Sequence, residues 1–237
     1  MSPPLAPGIL LNRSSGDPLF EFLLREGYGP ISYPLTTISF NSKLPSELEA
    51  IHSQDLAIDA WIISSPTSGH LVEGYFPSGC TIICTPASRR VLLHPEHYNL
   101  IVSDEPSSEG LIQAVRSFKP GGGKFLLFHG ERSRQLIERT FANTEFQILT
   151  LISHTEIPNH HLGRPPQAGA YLALSPLQAE LFYDKARGLF PIGWGKLLEK
   201  TFIAQRLVEY RVCDPTLLDL HTILSDIYRV PLNGSQI

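Results

Sequence analysis

The run Trp61–Gly69, WIISSPTSG, ends an apolar stretch abruptly at two serines, a proline and a threonine. Proline is well tolerated in the first turn of a helix, where its missing N–H would be unpaired anyway. Serine before it is a preferred N-cap. The stretch reads as a buried strand passing straight into a helix. A strand ending in Ser-Pro is by default only a well-capped helix start, so its neighbours decide what more it means.

The same pattern returns later. AWIISSPTSGHLV at Ala60–Val72 matches AYLALSPLQAELF at Ala170–Phe182: an aromatic residue, an apolar strand, Ser-Pro, then a helix. Each is followed by a second matching piece, TIICTPASRRVL at Thr81–Leu92 and LFPIGWGKLLEK at Leu189–Lys200. A looser third pair is SDEPSSEGLIQAV at Ser103–Val115 and CDPTLLDLHTIL at Cys213–Leu224. Three elements in one order predict a duplicated α/β unit.

Outward from these segments, hydrophobic periodicity places strands at Ile9–Asn12, Ile31–Leu35 (running on as TTISF), Ile58–Ile63, Thr81–Cys84, Leu100–Val102, Phe125–Phe128, Phe146–Ile152, Tyr171–Leu174, Phe190–Ile192 and Val208–Val212. Helices are expected over Leu19–Leu24, Asn41–Gln54, Pro66–Tyr75, Arg89–Leu93, Ser108–Phe118, Arg132–Phe141 and Thr216–Tyr228, with a helix start at SPLQAELFY. Phe202–Ala204 fits either state. His154–Gly169, rich in His, Pro and Gly, reads as a linker. Strands alternating with helices through short loops predict an α/β fold with parallel sheets covered on both faces.

At 237 residues the chain suits one large domain or two of ordinary size. Apolar residues make up 42% and charged residues 18%, a normal globular balance. A net charge of −4 supplies no global field for nucleic acid or anionic lipid. Apolar runs such as Phe125–Phe128 and Ile148–Ile152 fall far short of a membrane span. The opening MSPPLAPGILLNR lacks the basic and long apolar regions of a signal peptide. Three cysteines argue against a disulfide framework, so a cytoplasmic location is expected.

Other motifs read as structural. Pro120–Lys124, PGGGK, is followed by a strand and by no Ser or Thr, so it is a turn rather than a phosphate loop. Cys80 and Cys84 with His94 and His97 have a metal-like look, but Cys84 lies in an apolar strand and no metal is assigned. Neither a Gly-x-Ser-x-Gly elbow nor a Rossmann glycine fingerprint is present.

In open α/β sheets, ligands bind beyond the carboxyl ends of the strands. The Ser-Pro, Thr-Pro, His-Gly-Glu and Gly-Trp-Gly exits all lie at such ends. If two lobes face each other, these exits line one cleft, which suits a polyanion because amides and hydroxyls need no net positive charge. Arg13, Arg89, Arg132, Arg134 and Lys196 sit at or just past the exits and add local charge.

Taken in order, ILLNRSSGDPLFEFLLREGYGPISYPLTTI, WIISSPTS, ICTPASRRVL, VSDEPSSEGLIQAV, LLFHGERSRQLIERTF, ILTLISHTEIP, LALSPLQAELF and PIGWGKLLEKT make the chain resemble the uroporphyrinogen-III synthase (HemD-like) family over nearly its whole length. The resemblance implies two similar Rossmann- or flavodoxin-like lobes joined by a two-stranded connection. Residues 1–36 with 166–237 would form the first lobe and residues 37–165 the second. It implies a cofactor-free, monomeric lyase acting on linear hydroxymethylbilane. The substrate loses its hydroxyl to give an azafulvene, ring D inverts through a spiro intermediate, and the macrocycle closes as uroporphyrinogen III. Transient contact with the preceding enzyme of the pathway would accompany this, with no membrane or nucleic-acid partner. Without enzyme the intermediate closes unturned, so the task is orientation more than acid–base work.

Carried over by position, the resemblance implies substrate contacts at Ser64, Ser65 and Thr67, at Thr85 and Ser88, and at His129, Gly130 and Arg132. It adds Ser175 and Leu177 in the second Ser-Pro exit, Gly195 and Lys196 in the Gly-Trp-Gly exit, and Arg13 after the first strand. The chain also departs from the family. A tyrosine proposed as acid assistance is replaced by Ser153, with Thr155 kept, and Trp194 and Lys196 stand where small residues are usual. Either the tyrosine is dispensable, the reading favoured here, or His154 or a hydroxyl such as that of Ser153 takes its role, or the chain is a non-catalytic, tetrapyrrole-binding relative. An unrelated two-lobe protein binding a small anion is a third reading.

Overall fold

The computed structural model describes residues 8–54, 56–195, 197–214 and 216–228. In chain order the elements are β1 (Gly8–Leu11), α1 (Pro18–Arg25), β2 (Gly29–Ser32), β3 (Thr36–Phe40), α2 (Leu44–Ser53), β4 (Ala60–Ile63), α3 (Pro66–Val72), β5 (Thr81–Cys84), α4 (Pro86–Arg89), β6 (Asn99–Val102) and α5 (Ser108–Phe118). They continue with β7 (Gly123–Gly130), α6 (Leu136–Phe141), β8 (Phe146–Pro158), β9 (Ala170–Ala173), α7 (Pro176–Lys185), β10 (Phe190–Trp194), α8 (Leu197–Ala204), β11 (Arg211–Cys213) and α9 (Leu217–Tyr228). The chain divides into two compact units, Met1–Thr37 with Ile157–Ile237, and Ile38–Glu156.

The first unit carries a five-stranded sheet in the order β11-β10-β9-β1-β2, every neighbouring pair parallel. The second carries β3-β8-β7-β4-β5-β6, parallel from β8 to β6. Its edge strand β3 runs against β8: Asn41 N bonds Ser153 O at 3.0 Å, while Asn159 N bonds Leu35 O at 2.7 Å, so residue numbers rise on one strand as they fall on the other. The chain passes between units within β3 and returns within β8.

The repeated segments occupy equivalent places. β4-β5-β6 and β9-β10-β11 each step outward in order, and beside β4 and β9 lie β7 and β1, which lead on to β8 and β2. The two sheets therefore share one spatial order, but the flanking pair precedes the triplet in the first unit and follows it in the second. The order reverses between β9 and β1 and between β4 and β7. Those two places are the topological switch points.

Burial follows the pleat. All four residues of β4 are buried, with Trp61 and Ile63 packing on one side and Ala60 and Ile62 on the other. In β9, Ala170 and Leu172 belong to one core and Tyr171 and Ala173 to the second. Strands buried on both faces need helices on both sides, as the apolar runs predict. The centre of the second unit is aromatic: Trp61 stacks on Phe128 at 5.6 Å, and Phe76 meets Trp61 edge-on at 5.1 Å.

Several expected boundaries move. The segment expected as one extended run from Ile31 is two strands in different sheets, broken at Pro34, which has no N–H to give a ladder. α6 begins at Leu136 rather than Arg132 because Gln135 is left-handed, with φ 52°. The helix expected over Arg89–Leu93 is instead α4, started by the Thr85 cap. β11 begins at Arg211 rather than Val208. β8 runs to Pro158, into the stretch read as linker, because β3 pairs with it there. The Pro120–Lys124 stretch is a turn leading into β7, with Gly122 at φ +88°, where a Cβ would lie 2.5 Å from the Glu145 carbonyl oxygen.

The stacked pair sets an expected cost. Phe128→Ala should lower unfolding free energy by about 3–5 kcal/mol in urea titrations followed by tryptophan fluorescence. A loss within a few tenths of wild type would mean that the Trp61–Phe128 stack is not central to the unit.

Candidate functional site

In the second unit the switch point lies where β4 and β7 end. Ser64 ties the two strands together, its Oγ donating to the Phe128 carbonyl at 2.9 Å and its N at 3.2 Å. Ser65 is extended (φ −148°, ψ 153°) and caps α3, accepting from Ser68 N at 3.1 Å, with Pro66 in the first turn. Thr67 is half-buried in the same turn. Local sequence explains this corner: β-region backbone at the cap, proline next, and a hydroxyl aimed at the third N–H.

Beside it, β8 holds one residue more than β7. His129 pairs with Ile152 and Gly130 with His154, so Ser153 is the extra residue of a bulge. Strict alternation is lost, and both Ser153 and His154 turn inward, 0% and 8% exposed. Ser153 Oγ lies 2.9 Å from Ser68 Oγ, 3.1 Å from the His129 carbonyl oxygen and 2.9 Å from His154 Nδ1. Ser68 Oγ is in turn 3.0 Å from Ser65 Oγ. A continuous chain of hydroxyls thus joins the buried bulge to the half-buried cap. Ser153, where the family resemblance implies a tyrosine, spends its hydroxyl inside the protein.

His129 and Gly130 complete this corner. The His129 ring has Nδ1 2.6 Å from the Gly130 carbonyl and Nε2 3.1 Å from a Glu138 carboxylate oxygen. Burial opposes its protonation, but the Glu138 and Gly130 oxygens outweigh it and hold its pKa above the ordinary value. Burial likewise pushes the Glu138 carboxyl upward, yet His129 holds it below the usual carboxylate range. Burial depresses His154, with the His129 charge adding to it and Glu156 opposing. Gly130 is required by contact: a Cβ there would lie 2.7 Å from His154 Nε2.

Thr85 and Ser88 are buried, 5% and 0% exposed, and serve each other. Thr85 Oγ1 accepts from Ser88 N at 3.1 Å and lies 2.9 Å from Ser88 Oγ. Arg132 is exposed in the loop before α6, with its own polar partner.

The first unit builds its own corner at its switch point. Ser175 caps α7, accepting from Gln178 N at 3.2 Å. Gln178 accepts from Leu174 N at 3.1 Å through Oε1 and approaches Thr36 Oγ1 at 3.5 Å through Nε2. Asn12, just past β1, clasps Thr36, donating to its Oγ1 at 3.0 Å and accepting from its N at 3.1 Å. Leu177 is buried in the core. Arg13 is paired with Asp17 at 3.2 Å, its side chain 44% exposed. Gly195 follows β10 at φ +95°, with its N bonded to Cys213 O at 2.8 Å. Lys196 lies outside the described residues.

The structure therefore gathers Ser64, Ser65, His129, Gly130, Ser153 and His154 at one corner and places Ser175 with Asn12 and Gln178 at the other. Ser68, Glu138, Asn12, Thr36 and Gln178 escaped the sequence reading. Gln178 carried a signal: Ser175-Pro-Leu-Gln178 has the spacing of a capping box.

A family model described as uroporphyrinogen-III synthase HemD matches residues 17–161. Among solved structures, the chain is similar to a mutant uroporphyrinogen III synthase from the extremely thermophilic bacterium Thermus thermophilus, with TM-score 0.59 and 13% identity over 95% of this chain and 100% of that one. It is also similar to the uroporphyrinogen-III synthetase of Helicobacter pylori, with TM-score 0.56 and 10% identity over 94% of this chain and 99% of that one. No curated protein matches.

The His129–Glu138 pair gives a signed pH expectation. His129, raised above 6.5 by folding, contributes stability that is full below that value and lost as pH rises through its folded pKa. Glu138, lowered below 4.5, contributes above that value and loses it as pH falls through its folded pKa. The stability gap between wild type and His129→Gln in urea unfolding should be larger at about pH 5.5 than at about pH 8.5. Equal gaps would show that the pair does not form.

Proposed function

The chain belongs to the uroporphyrinogen-III synthase family, and we propose that it is a cofactor-free lyase that converts hydroxymethylbilane to uroporphyrinogen III with inversion of ring D. The observation that carries this reading is the matched pair of capped strand exits, Ser64–Ser65 and Ser175, each at the switch point of its own sheet. Switch points are where open α/β sheets take ligands. The substrate is a flexible polycarboxylate, and hydroxyls, backbone N–H groups and an exposed arginine are suitable receptors for carboxylates.

In this reading Ser65, Thr67 and Arg132 receive carboxylates at the second unit's corner, where Ser64 holds β4 to β7, and Ser175 with Arg13 does so at the first unit's. Holding the chain in a turned conformation favours closure after ring inversion over the direct closure that occurs in water. Ser153 and His154 act by positioning. Their buried bonds hold the corner's backbone, and the departing hydroxyl draws no proton from Ser153.

Incubation with hydroxymethylbilane, oxidation of the product and chromatographic separation of the isomers test the reaction. The type III isomer is expected; type I alone, as in a protein-free control, overturns the reading. Ser65→Ala combined with Ser175→Ala should raise KM, with a loss of about 1 kcal/mol of stability for each missing cap. Ser153→Ala should lower the melting temperature while still yielding the type III isomer. A folded Ser153→Ala protein that yields only type I would assign Ser153 a direct part in the chemistry.

A further inference from the structure

Between α4 and β6, three metal-ligating side chains converge away from the second unit's corner. His94, Glu96 and His97 each offer a donor atom, and all three atoms lie within 4.8 Å of one another. Glu96 Oε1 is 3.6 Å from His94 Nδ1 and 3.9 Å from His97 Nε2. The two imidazole rings stack, centroids 5.2 Å apart and planes 15° apart, and the Glu96 separations are ion-pair distances when the histidines are protonated. The same separations are close to what one ion would impose: donors held tetrahedrally at 2.0–2.1 Å from a metal sit about 3.3–3.5 Å apart. One exposed ring must turn out of the stack for both in-plane lone pairs to reach the same ion.

The backbone beneath them is anchored. Glu73, only 7% exposed, accepts from Leu93 N and from His94 N, each at 2.7 Å. Pro95 stiffens the next position. His97 N bonds His94 O at 3.0 Å, and the His97 carbonyl accepts from Gly79 N at 2.8 Å. The two histidines therefore leave the same tight turn at a spacing set by main-chain bonds to the rest of the unit. The cysteines take no part. Cys84 is fully buried, and burial pushes its thiol up to about 11.

We propose that His94, Glu96 and His97 form a binding site for a borderline divalent transition-metal ion such as Zn²⁺. Two imidazoles and one carboxylate suit that class and not Ca²⁺ or Mg²⁺, which take oxygen. Three protein ligands leave a fourth position to water. The turn directly precedes β6, at the amino end of the sheet and away from the exits of the second unit's corner. The ion acts there as a clasp on the β5–β6 connection: it raises the stability of the folded protein by mass action and leaves the product isomer unchanged.

Calorimetric titration of the full chain with ZnCl₂ tests this, alongside His94→Ala/His97→Ala and Glu96→Ala. One site is expected in wild type, lost in the double variant and weakened in Glu96→Ala, with Zn²⁺ raising the melting temperature of wild type alone. Co²⁺ should give visible d–d bands in wild type that the double variant lacks. Absence of uptake by wild type overturns the site, as does uptake unchanged in the double variant, which would place the ion on other histidines, or unchanged in Glu96→Ala.

Discussion

The one residue by which β8 exceeds β7 at the His129–Gly130 step determines what the second unit's carboxyl edge can build. On a regular ladder, successive side chains alternate between faces, and a serine and histidine in succession would part company. The surplus residue turns both inward, and their polar atoms then need partners. Ser68, the His129 carbonyl and the Ser65 cap supply them. The bulge, the capped exit of β4 and the glycine that clears space for His154 thus form one arrangement. Loss of any member leaves a buried polar group without its bond, a cost of about 1–3 kcal/mol.

What the chain's sequence reveals about this arrangement divides by range. The Ser-Pro and Thr-Pro exits were legible because capping is local: a β-region hydroxyl, a proline and an N–H within three residues suffice. The duplication was legible because like strands carry like residues. The bulge was not, since a register shift depends on what β7 presents opposite β8. Ser68 looked like an ordinary first-turn serine, and only the fold sets Ser153 against it. The extension of β8 through His-Thr-Glu-Ile-Pro was hidden for a similar reason, because polar and proline-bounded sequence reads as linker until a partner strand is known.

The resemblance at the level of residues placed a serine in a tyrosine's position, and geometry gives that exchange its meaning. A buried site lined by Ser68, the His129 carbonyl and His154 fits a small hydroxyl. The side chain there serves the wall behind the corner. Chemistry that rests on holding a flexible chain, rather than on one proton donor, tolerates such an exchange.

The shared strand order of the two sheets, with the flanking pair moved from after the triplet to before it, has a consequence for synthesis. In the second unit every strand from β4 to β8 emerges in one uninterrupted run. In the first, Leu10 must wait for Tyr171, its neighbour in the sheet, until the whole of the other unit has left the ribosome. β1 and β2 therefore stay unpaired along one edge until the second unit has been made. The second unit can fold first, and the first unit closes last around strands made before the second.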